Sequence, residues 1–239
     1  MPLRKIEVVG HRGAAHVEPE NTLRGFRYAL GLGCDRIETD VHLSKDDALV
    51  LIHDETVHRT TNGRGEVSHL TLADLKRLDA GKGECIPTLQ EAIDLFKDSW
   101  KQGCKTLLQI ELKGEGTEGP VVEAVKANGI EDKVALTSFD AERLGEAKRL
   151  LPNAIFGFLT SKLEPDPFLI AERLGVNALH LRHDLATSER VTRAHAEGLE
   201  LRLWNIDDED RMRWAIGLGV DGIGSNRPDL LIEVLNQRA

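Results

Sequence analysis

The chain contains few aromatic residues, few cysteines and no long apolar segment. Phenylalanine, tryptophan and tyrosine together make up 4% of its 239 residues, and three residues are cysteine. The apolar stretches are short, such as residues 48–52, whereas a membrane-spanning helix needs ~20 apolar residues. The segment before Gly10 also contains too few apolar residues to form the core of a signal peptide. An odd number of cysteines without metal-site spacing fits reduced thiols, so we expect a cytoplasmic protein.

Positive charge is also scarce in this sequence. Lysine and arginine number 31 against 40 aspartates and glutamates, which gives a formal net charge of −9. Because the phosphate backbone of nucleic acids attracts clustered cations, and the sequence has no basic run, a nucleic-acid partner is excluded. Stable association with a membrane surface is not expected either, since basic and aromatic membrane-facing stretches are lacking. The oligomeric state stays open, a homodimer included.

Apolar runs of strand length alternate with amphipathic stretches of helix length along the chain. Asn21 is predicted to cap the first helix, and glycines such as Gly33 stand where a helix would end. This alternation predicts right-handed βαβ units around a parallel sheet. The predicted strands are residues 6–10, 36–41, 106–112, 134–138, 155–159, 178–181, 201–205 and 222–224. Eight strands in a single domain over residues 1–239 predict a closed (βα)8 TIM barrel, with a doubly wound open sheet as the alternative.

A ninth apolar run, residues 48–53, follows the second strand too closely for a parallel crossover. We predict that it folds back as a β-hairpin on residues 38–43. Pairing Leu43 with Ala48 across the turn would place His53 opposite Glu38. The segment of about residues 44–87 is then a small insertion after the second strand, without domain status.

Polar side chains collect at the predicted carboxyl ends of the first strands, which is where (βα)8 barrels carry their active sites. The first strand ends in His11 and Arg12, and the hairpin return ends in His53. Alternate residues of a strand share one face, so the second and third barrel strands direct three carboxylates and Lys113 into the same space. These carboxylates are Glu38, Asp40 and Glu111.

Three carboxylates around one closed space repel each other unless a cation lies between them. A divalent cation with oxygen ligands (Mg²⁺, Ca²⁺ or Mn²⁺) is the natural neutraliser. His11 and His53 can supply and remove protons near neutral pH, and Arg12 and Lys113 offer positive charge to an anion. The combination predicts cleavage of a phosphate ester. Internal ion pairs of the carboxylates with Arg12 and Lys113 are the structural alternative, which we consider weaker because buried ion pairs stabilise poorly.

Three further residues of the predicted strands and hairpin are candidates for the site. His42 continues the alternation of the second strand but lies nearest the hairpin turn, so we expect an exposed histidine at the rim. His180 fits a buried core histidine as well as a substrate contact. Trp204, at a strand end, is either a core residue or a wall of the site, and we favour the wall.

A set of short motifs runs in a fixed order from residue 9 to residue 230. They include Gly10-His11-Arg12-Gly13-Ala14, Pro19-Glu20-Asn21-Thr22, Glu38-Thr39-Asp40-Val41, His53-Asp54-Glu55-Thr56, Arg59-Thr60-Thr61-Asn62-Gly63, Ile110-Glu111-Leu112-Lys113 and Val220-Asp221-Gly222-Ile223. On these motifs the chain resembles the glycerophosphodiester phosphodiesterases. The resemblance implies a (βα)8 barrel that hydrolyses small glycerophosphodiesters to glycerol 3-phosphate and an alcohol.

The resemblance also implies roles for individual residues. It implies a metal held by Glu38, Asp40 and Glu111, acid–base catalysis by His11 and His53, and phosphate contacts from Arg12 and Lys113. It further implies that a hydroxyl of the substrate attacks phosphorus to give a cyclic phosphate, which water then opens. We assign His11 as the base and His53 as the acid.

The chain departs from the family's usual residues at Gln109, Asn205 and Ser225-Asn226, where asparagine, threonine and Thr-Asp are usual. We expect these departures to affect substrate detail rather than chemistry. The competing hypotheses are a phospholipase-type enzyme that acts on intact lipid, and a barrel that binds a ligand without catalysis.

Overall fold

Eight parallel strands close into a ring in the computed structural model, which describes residues 5–237. The strands, including one outside the ring, are β1 (Glu7–Gly10), β2 (Arg36–Leu43), β3 (Leu49–Leu51), β4 (Leu107–Leu112), β5 (Val134–Ser138), β6 (Ile155–Thr160), β7 (Ala178–Arg182), β8 (Glu200–Trp204) and β9 (Gly222–Ser225). Because β1 pairs with both β2 and β9, the sheet has no open edge within the ring. The predicted (βα)8 barrel is confirmed, and the open-sheet alternative is wrong.

Helices follow the barrel strands and cover the outside of the ring, except for one short helix (α2) that lies in the insertion after β3. They are α1 (Leu23–Leu32), α2 (Leu72–Leu75), α3 (Leu89–Lys101), α4 (Glu118–Asn128), α5 (Ala141–Leu150), α6 (Pro167–Leu174), α7 (Ser188–Ala196), α8 (Glu209–Leu218) and α9 (Pro228–Asn236). Thr22 caps α1 by accepting a hydrogen bond from the Gly25 N–H, so the prediction that Asn21 caps this helix is wrong. Gly33 ends α1 in the left-handed conformation, as predicted (φ 77°).

The hairpin forms, but its register differs by one residue from the prediction. Leu43 lies opposite Leu49 rather than Ala48, and the antiparallel pairing ends at Leu51. The turn therefore contains one residue more than predicted, and Asp47 within it adopts a left-handed conformation (φ 59°). His53 is therefore not paired with Glu38; it follows the end of β3, outside the ladder.

The insertion between β3 and α3 has a small apolar cluster of its own. Val50 and Ile52 pack in this cluster with the buried residues Val57, Val67, Leu75, Ala80 and Ile86. The cluster fixes the insertion against the open end of the barrel, where the loop after β3 carries His53.

The described residues contain no helix that combines the length and the apolarity needed to cross a bilayer. The prediction that the amino-terminal segment is no signal peptide concerns in part residues 1–4, which lie outside the described residues.

Candidate active site

A cavity of about 400 Å³ opens at the carboxyl ends of the barrel strands. The predicted site residues that line it are His11, Arg12, Glu38, His53, Glu111, Lys113 and Trp204. The remaining predicted residue, Asp40, is 1% exposed and lies next to these residues, 3.4 Å from Arg12 Nε. The structure therefore brings together all the residues that the sequence analysis selected.

The three predicted metal ligands form a buried carboxylate cluster of Glu38, Asp40 and Glu111. Each offers one carboxylate oxygen, and these oxygens lie within 4.8 Å of one another. Within residues 5–237, Glu38 Oε1 and Asp40 Oδ1 are buried without a hydrogen-bond partner. Burial, with the charges of Asp40 and Glu111, raises the pKa of Glu38 well above its usual value, and burial and Asp40 raise that of Glu111 to about 7. Buried, unpartnered and mutually repelling carboxylate oxygens fit a hard divalent cation.

The internal ion pairs that we weighed as a structural alternative are also present. Arg12 contacts Asp40, and Lys113 Nζ lies 3.1 Å from Glu111 and 3.7 Å from Asp40. Burial acts to raise the pKa of Asp40, but Arg12, His53 and Lys113 outweigh this effect and hold it below its usual value. These pairs leave Glu38 Oε1 and Asp40 Oδ1 without a hydrogen-bond partner among residues 5–237, so the ion pairs alone do not account for the cluster.

Asn21 fixes the orientation of Asp40, a role that the sequence analysis missed. Its amide Nδ2 donates to Asp40 Oδ2 at 2.9 Å, and its Oδ1 accepts a hydrogen bond from the Thr39 hydroxyl at 2.7 Å. Asn21 adopts a left-handed backbone conformation (φ 54°), which turns its side chain away from the helix and into the barrel. The sequence held one signal for this role, because Asn21 belongs to the motif Pro19-Glu20-Asn21-Thr22.

Arg12 lies in a tight turn that directs both its backbone and its side chain to carboxylates. Its backbone φ is 51°, its N–H donates to Glu38 Oε2 at 2.9 Å, and its Nη1 donates to Glu20 at 2.9 Å. A Cβ on the following Gly13 would come within 2.8 Å of the Gly25 backbone, so glycine is needed where this turn crosses α1. Gly13 is therefore a structural requirement of the turn that carries Arg12.

His11 is held in one tautomer by two polar residues behind it. Asp207 can only accept hydrogen bonds, and it accepts from Asn226 Nδ2 at 2.7 Å, which directs the amide oxygen of Asn226 to His11. His11 Nδ1 lies 2.6 Å from that oxygen and therefore carries the proton, which leaves a lone pair on Nε2. Burial, with Arg12 nearby, lowers the pKa of His11 to about 4, so the ring is neutral at neutral pH and can accept a proton.

Asn205 and Asn226, two of the residues that differ from those usual in the family, therefore lie against the ring of His11. This position differs from our expectation that they affect only substrate detail. Asn226 contacts one nitrogen of the His11 ring, and Asn205 Nδ2 lies 3.2 Å from the other. Both follow the ends of barrel strands, which is the signal that could have placed them in the site.

His53 is the last member of a chain of alternating charges. Its Nδ1 lies 2.7 Å from Asp54, and Asp54 accepts two hydrogen bonds from Arg59, at 2.8 and 3.0 Å. Arg59 also donates to both carboxylate oxygens of Glu20, at 2.7 and 2.8 Å, and Glu20 in turn accepts from Arg12. This chain, which we call the charge chain, connects the two loops that carry His11 and His53.

The other ring nitrogen of His53 faces the cavity. Nε2 lies 2.8 Å from Lys113 Nζ, so the neutral ring accepts a hydrogen bond there while Nδ1 donates to Asp54. Burial lowers the pKa of His53, although the negative charges of Asp40 and Asp54 oppose this effect. A carboxylate behind Nδ1 stabilises the doubly protonated ring, so His53 is better placed than His11 to act as an acid.

Two of the weighed residues are now placed. His42 is 7% exposed and its Nε2 lies 3.2 Å from the carbonyl oxygen of His53, so the prediction of an exposed rim histidine is wrong. Trp204 lines the cavity, with its Nε1 donating to the carbonyl oxygen of His180 and its ring packed edge-to-face on Phe139 at 5.2 Å. Its placement agrees with the predicted wall.

Comparison with known proteins gives one consistent result. The model of the glycerophosphoryl diester phosphodiesterase family matches residues 11–230. A glycerophosphodiester phosphodiesterase of Caldanaerobacter subterraneus subsp. tengcongensis is 37% identical over 245 residues, which cover 98% of this chain and 99% of that protein. A solved structure from Silicibacter pomeroyi superposes with a TM-score of 0.91 at 26% identity, over 100% of this chain and 95% of that one. A phosphodiesterase from Oleispira antarctica, solved with the product sn-glycerol-3-phosphate, gives 0.87 at 30% identity over 96% of both chains.

Proposed function

Because the chain belongs to the glycerophosphoryl diester phosphodiesterase family, we propose that it hydrolyses glycerophosphodiesters to glycerol 3-phosphate and an alcohol. The observation that carries the proposal is the convergence of the carboxylate cluster, two histidines and two cations on one cavity. The product bound to the Oleispira enzyme supports the same class of small-molecule substrate for this chain. The unpaired thiols of Cys34, Cys85 and Cys104 support a cytoplasmic location.

Glu38, Asp40 and Glu111 would hold one divalent cation, either Mg²⁺, Ca²⁺ or Mn²⁺. When bound, such a cation supplies charge neutralisation and Lewis acidity. Arg12 and Lys113 both reach the cavity beside this cluster and hold the phosphate between them, Arg12 as a planar fork and Lys113 as a point charge.

The two histidines move the protons. His11 takes the proton of the substrate hydroxyl next to the phosphoester at its unprotonated Nε2, while the oxygen of that hydroxyl forms a bond to phosphorus. His53 enters this step doubly protonated, with a second proton on Nε2 in place of the hydrogen bond from Lys113 and with Asp54 facing Nδ1. The bond from phosphorus to the head-group oxygen breaks, and His53 donates the Nε2 proton to that leaving oxygen. In the second step water attacks the cyclic phosphate; His53 takes the proton of the water and His11 returns its own proton to the glycerol oxygen.

Glycerophosphocholine, glycerophosphoethanolamine and glycerophosphoglycerol should each release glycerol 3-phosphate, measured with a coupled enzyme. Activity should disappear with a chelator and return with at least one of Mg²⁺, Ca²⁺ and Mn²⁺, because the carboxylate cluster repels the substrate phosphate when no cation is bound. Turnover that withstands chelation, or release of the head group as its phosphate instead of the free alcohol, would contradict the proposal.

Replacing either histidine by alanine should lower kcat/KM for glycerophosphocholine by about 10²–10⁴-fold, the usual contribution of general acid–base catalysis. A substrate with p-nitrophenol as its leaving group needs no acid in the first step, so nitrophenol release in a single turnover should be restored in His53→Ala and not in His11→Ala. Opening of the cyclic phosphate, in which His53 acts as the base, should stay slow in His53→Ala. His69→Ala, at an exposed histidine in the insertion, is the matched control and should behave as wild type. Restored turnover in His11→Ala instead would exchange the two roles, and restored turnover in neither would contradict the assignment.

A further inference from the structure

A smaller pocket of about 180 Å³ adjoins the active-site cavity on the side of His53, and we call it the passage. His53, Glu111 and Lys113 line both the cavity and the passage, whereas His42 and Glu55 line the passage but not the cavity. His42 and Glu55 also line a wider groove that lies between the insertion and the start of α5. The passage therefore leads from His53 to His42 and Glu55 and opens into this groove.

The leaving head group of the substrate lies at the start of the passage. In the proposed mechanism His53 donates the proton on Nε2 to the leaving oxygen, so the head group is attached next to this nitrogen. Nε2 lies 2.8 Å from Lys113 Nζ, and both side chains line the passage. A short head group extends from the leaving oxygen by only a few bonds. It therefore meets the residues that the passage and the groove share, and not the far part of the groove.

His42 has a ring nitrogen that is free to accept a hydrogen bond. Its Nε2 lies 3.2 Å from the carbonyl oxygen of His53, which can only accept, so Nε2 carries the proton and Nδ1 has a lone pair. Although His42 is only 7% exposed, no group among residues 5–237 donates to Nδ1. A Cβ on Gly114 would come within 3.1 Å of Nδ1, so glycine keeps this side of the ring open. Buried polar groups are nearly always hydrogen-bonded, so Nδ1 indicates a ligand that donates.

Glu55 gives the same place a negative charge. Its side chain is exposed, and within the described part of the chain its carboxylate has neither an ion-pair nor a hydrogen-bond partner. The groove that it borders is lined, among the described residues, by seven carboxylates and two permanent cations, Lys113 and Arg143. Both cations are already paired, Lys113 with Glu111 at 3.1 Å and Arg143 with Glu118 at 3.6 Å. The end of the passage therefore attracts a cation and repels an anion.

The passage does not offer the surroundings that bind a quaternary ammonium group. Proteins recognise such groups in cages of aromatic rings. Of the residues that the structure describes, Phe139 alone brings a phenyl or indole ring to the passage, and Lys113 Nζ already lies 5.7 Å from the centre of that ring. A primary ammonium carries N–H groups, so it can donate to His42 Nδ1 while its charge is balanced by Glu55.

We propose that His42 and Glu55 together bind a primary ammonium group on the leaving head group, and that they select the ethanolamine diester of glycerophosphate over the choline diester and over neutral diesters. We call these two residues the head-group site. The inference rests on the proposed function and specifies the substrate. Nδ1 of His42 accepts a hydrogen bond from the ammonium, and the Glu55 carboxylate balances its charge.

The test compares three diesters of glycerophosphate that differ only in the head group, by release of glycerol 3-phosphate from the wild-type enzyme. Ethanolamine offers a positive charge and a donor, choline offers the charge without a donor, and ethylene glycol offers a donor without the charge. We expect kcat/KM for the ethanolamine diester to exceed that for the glycol diester by about tenfold or more, and that for the choline diester by about fivefold. High salt should reduce the first preference and leave the second, because salt screens charge.

Two variants separate the contributions of the head-group site. Glu55→Gln should lower the preference for ethanolamine over ethylene glycol by about threefold or more. Glu115→Gln is the matched control, because Glu115 is an exposed carboxylate that lines the groove but not the passage, and it should keep both preferences. His42→Phe keeps a ring without the acceptor and should bring the preference for ethanolamine over choline close to one. An effect of this substitution on His53 changes both rates alike, so it cancels in the ratio.

Equal kcat/KM values for the three diesters in the wild-type enzyme, or a preference for choline, would overturn the inference and leave the phosphodiesterase activity standing. A wild-type preference that Glu55→Gln keeps, or that Glu115→Gln loses to the same extent, would also overturn it. A failure to cleave any of the three diesters would instead refute the proposed function, and the inference with it. The wild-type comparison needs no variant, so it decides the matter even if His42→Phe does not fold.

Discussion

The 2-deoxy analogue of glycerophosphocholine should bind to the enzyme and not be turned over. In the proposed mechanism, the hydroxyl next to the phosphoester is the nucleophile, and without it His11 has no proton to remove and no oxygen is placed to attack phosphorus. Arg12 and Lys113 still hold the phosphate, so the analogue should inhibit competitively with an inhibition constant of the same order as the KM of the substrate. Release of choline from the analogue measures turnover, and inhibition of glycerophosphocholine cleavage measures binding.

The 1-deoxy analogue, the phosphocholine ester of propane-1,2-diol, is the matched control for this experiment. It lacks one hydroxyl as well, but it keeps the nucleophile, so it should be cleaved where the 2-deoxy analogue is not. Direct attack of water on phosphorus needs neither hydroxyl. Release of choline from the 2-deoxy analogue near the normal rate would therefore refute the cyclic phosphate and leave the phosphodiesterase assignment intact.

Glu38→Gln should abolish activity and, at the same time, stabilise the metal-free protein. Activity should fall by about 10³-fold or more, because the substitution removes one anionic ligand and lowers the affinity for the divalent cation that the reaction requires. In the absence of metal, the same substitution removes a buried carboxylate that repels Asp40 and Glu111. Opposite effects on activity and stability are expected of a residue kept for its charge and not for folding.

The pH dependence of this stabilisation has a definite sign. Glu38 and Glu111 have raised pKa values in the folded protein, so above the usual pKa of glutamate the folded protein binds more protons than the unfolded chain. The contribution of these two glutamates to the free energy of unfolding of the metal-free protein should therefore fall as the pH rises, for Glu111 between 4.5 and about 7. Histidines with a lowered pKa, such as His11, contribute with the opposite sign, so the quantity to measure is the difference between Glu38→Gln and wild type. Urea unfolding in chelator at pH 5.5 and pH 8 should show that Glu38→Gln gains stability relative to wild type as the pH rises.

Glu115→Gln removes an exposed carboxylate just after β4 and serves as the control for both measurements. It should keep wild-type activity and the wild-type dependence of stability on pH. If Glu38→Gln were as active as wild type, or were less stable than wild type at pH 8 without metal, the carboxylate cluster would not be a metal site.

The central part of the site was predictable because it depends on local geometry. Alternation along β2 and β4 places Glu38, Asp40 and Glu111 inside the barrel whatever surrounds them. His53 was also placed in the site, but through a hairpin register that is wrong by one residue. The shift did not change the outcome. The hairpin still returns the chain to the carboxyl end of the barrel strands, and there His53 lies close to Lys113.

The supporting residues were not predictable, because their positions depend on turns and on distant segments. Asn21 was expected at a helix cap, and its left-handed backbone instead directs it to Asp40. His42 was expected to be exposed, but the chain after β3 covers it. Asn226 contacts His11 from 215 positions along the chain; its place after β9 indicates the active-site end of the barrel, but no local pattern indicates which residue it contacts.

In the proposed mechanism, the charge chain makes the acid function of His53 depend on how two segments of the chain dock. Arg59 belongs to the insertion and Glu20 to the loop before α1, so the orientation of His53 depends on two segments docking against each other at the barrel's open end. A barrel with every strand paired but with the insertion undocked would still contain the carboxylate cluster, yet it would lack an oriented acid. Substitutions inside the small apolar cluster of the insertion, far from the substrate, therefore act on proton transfer before they act on the stability of the barrel.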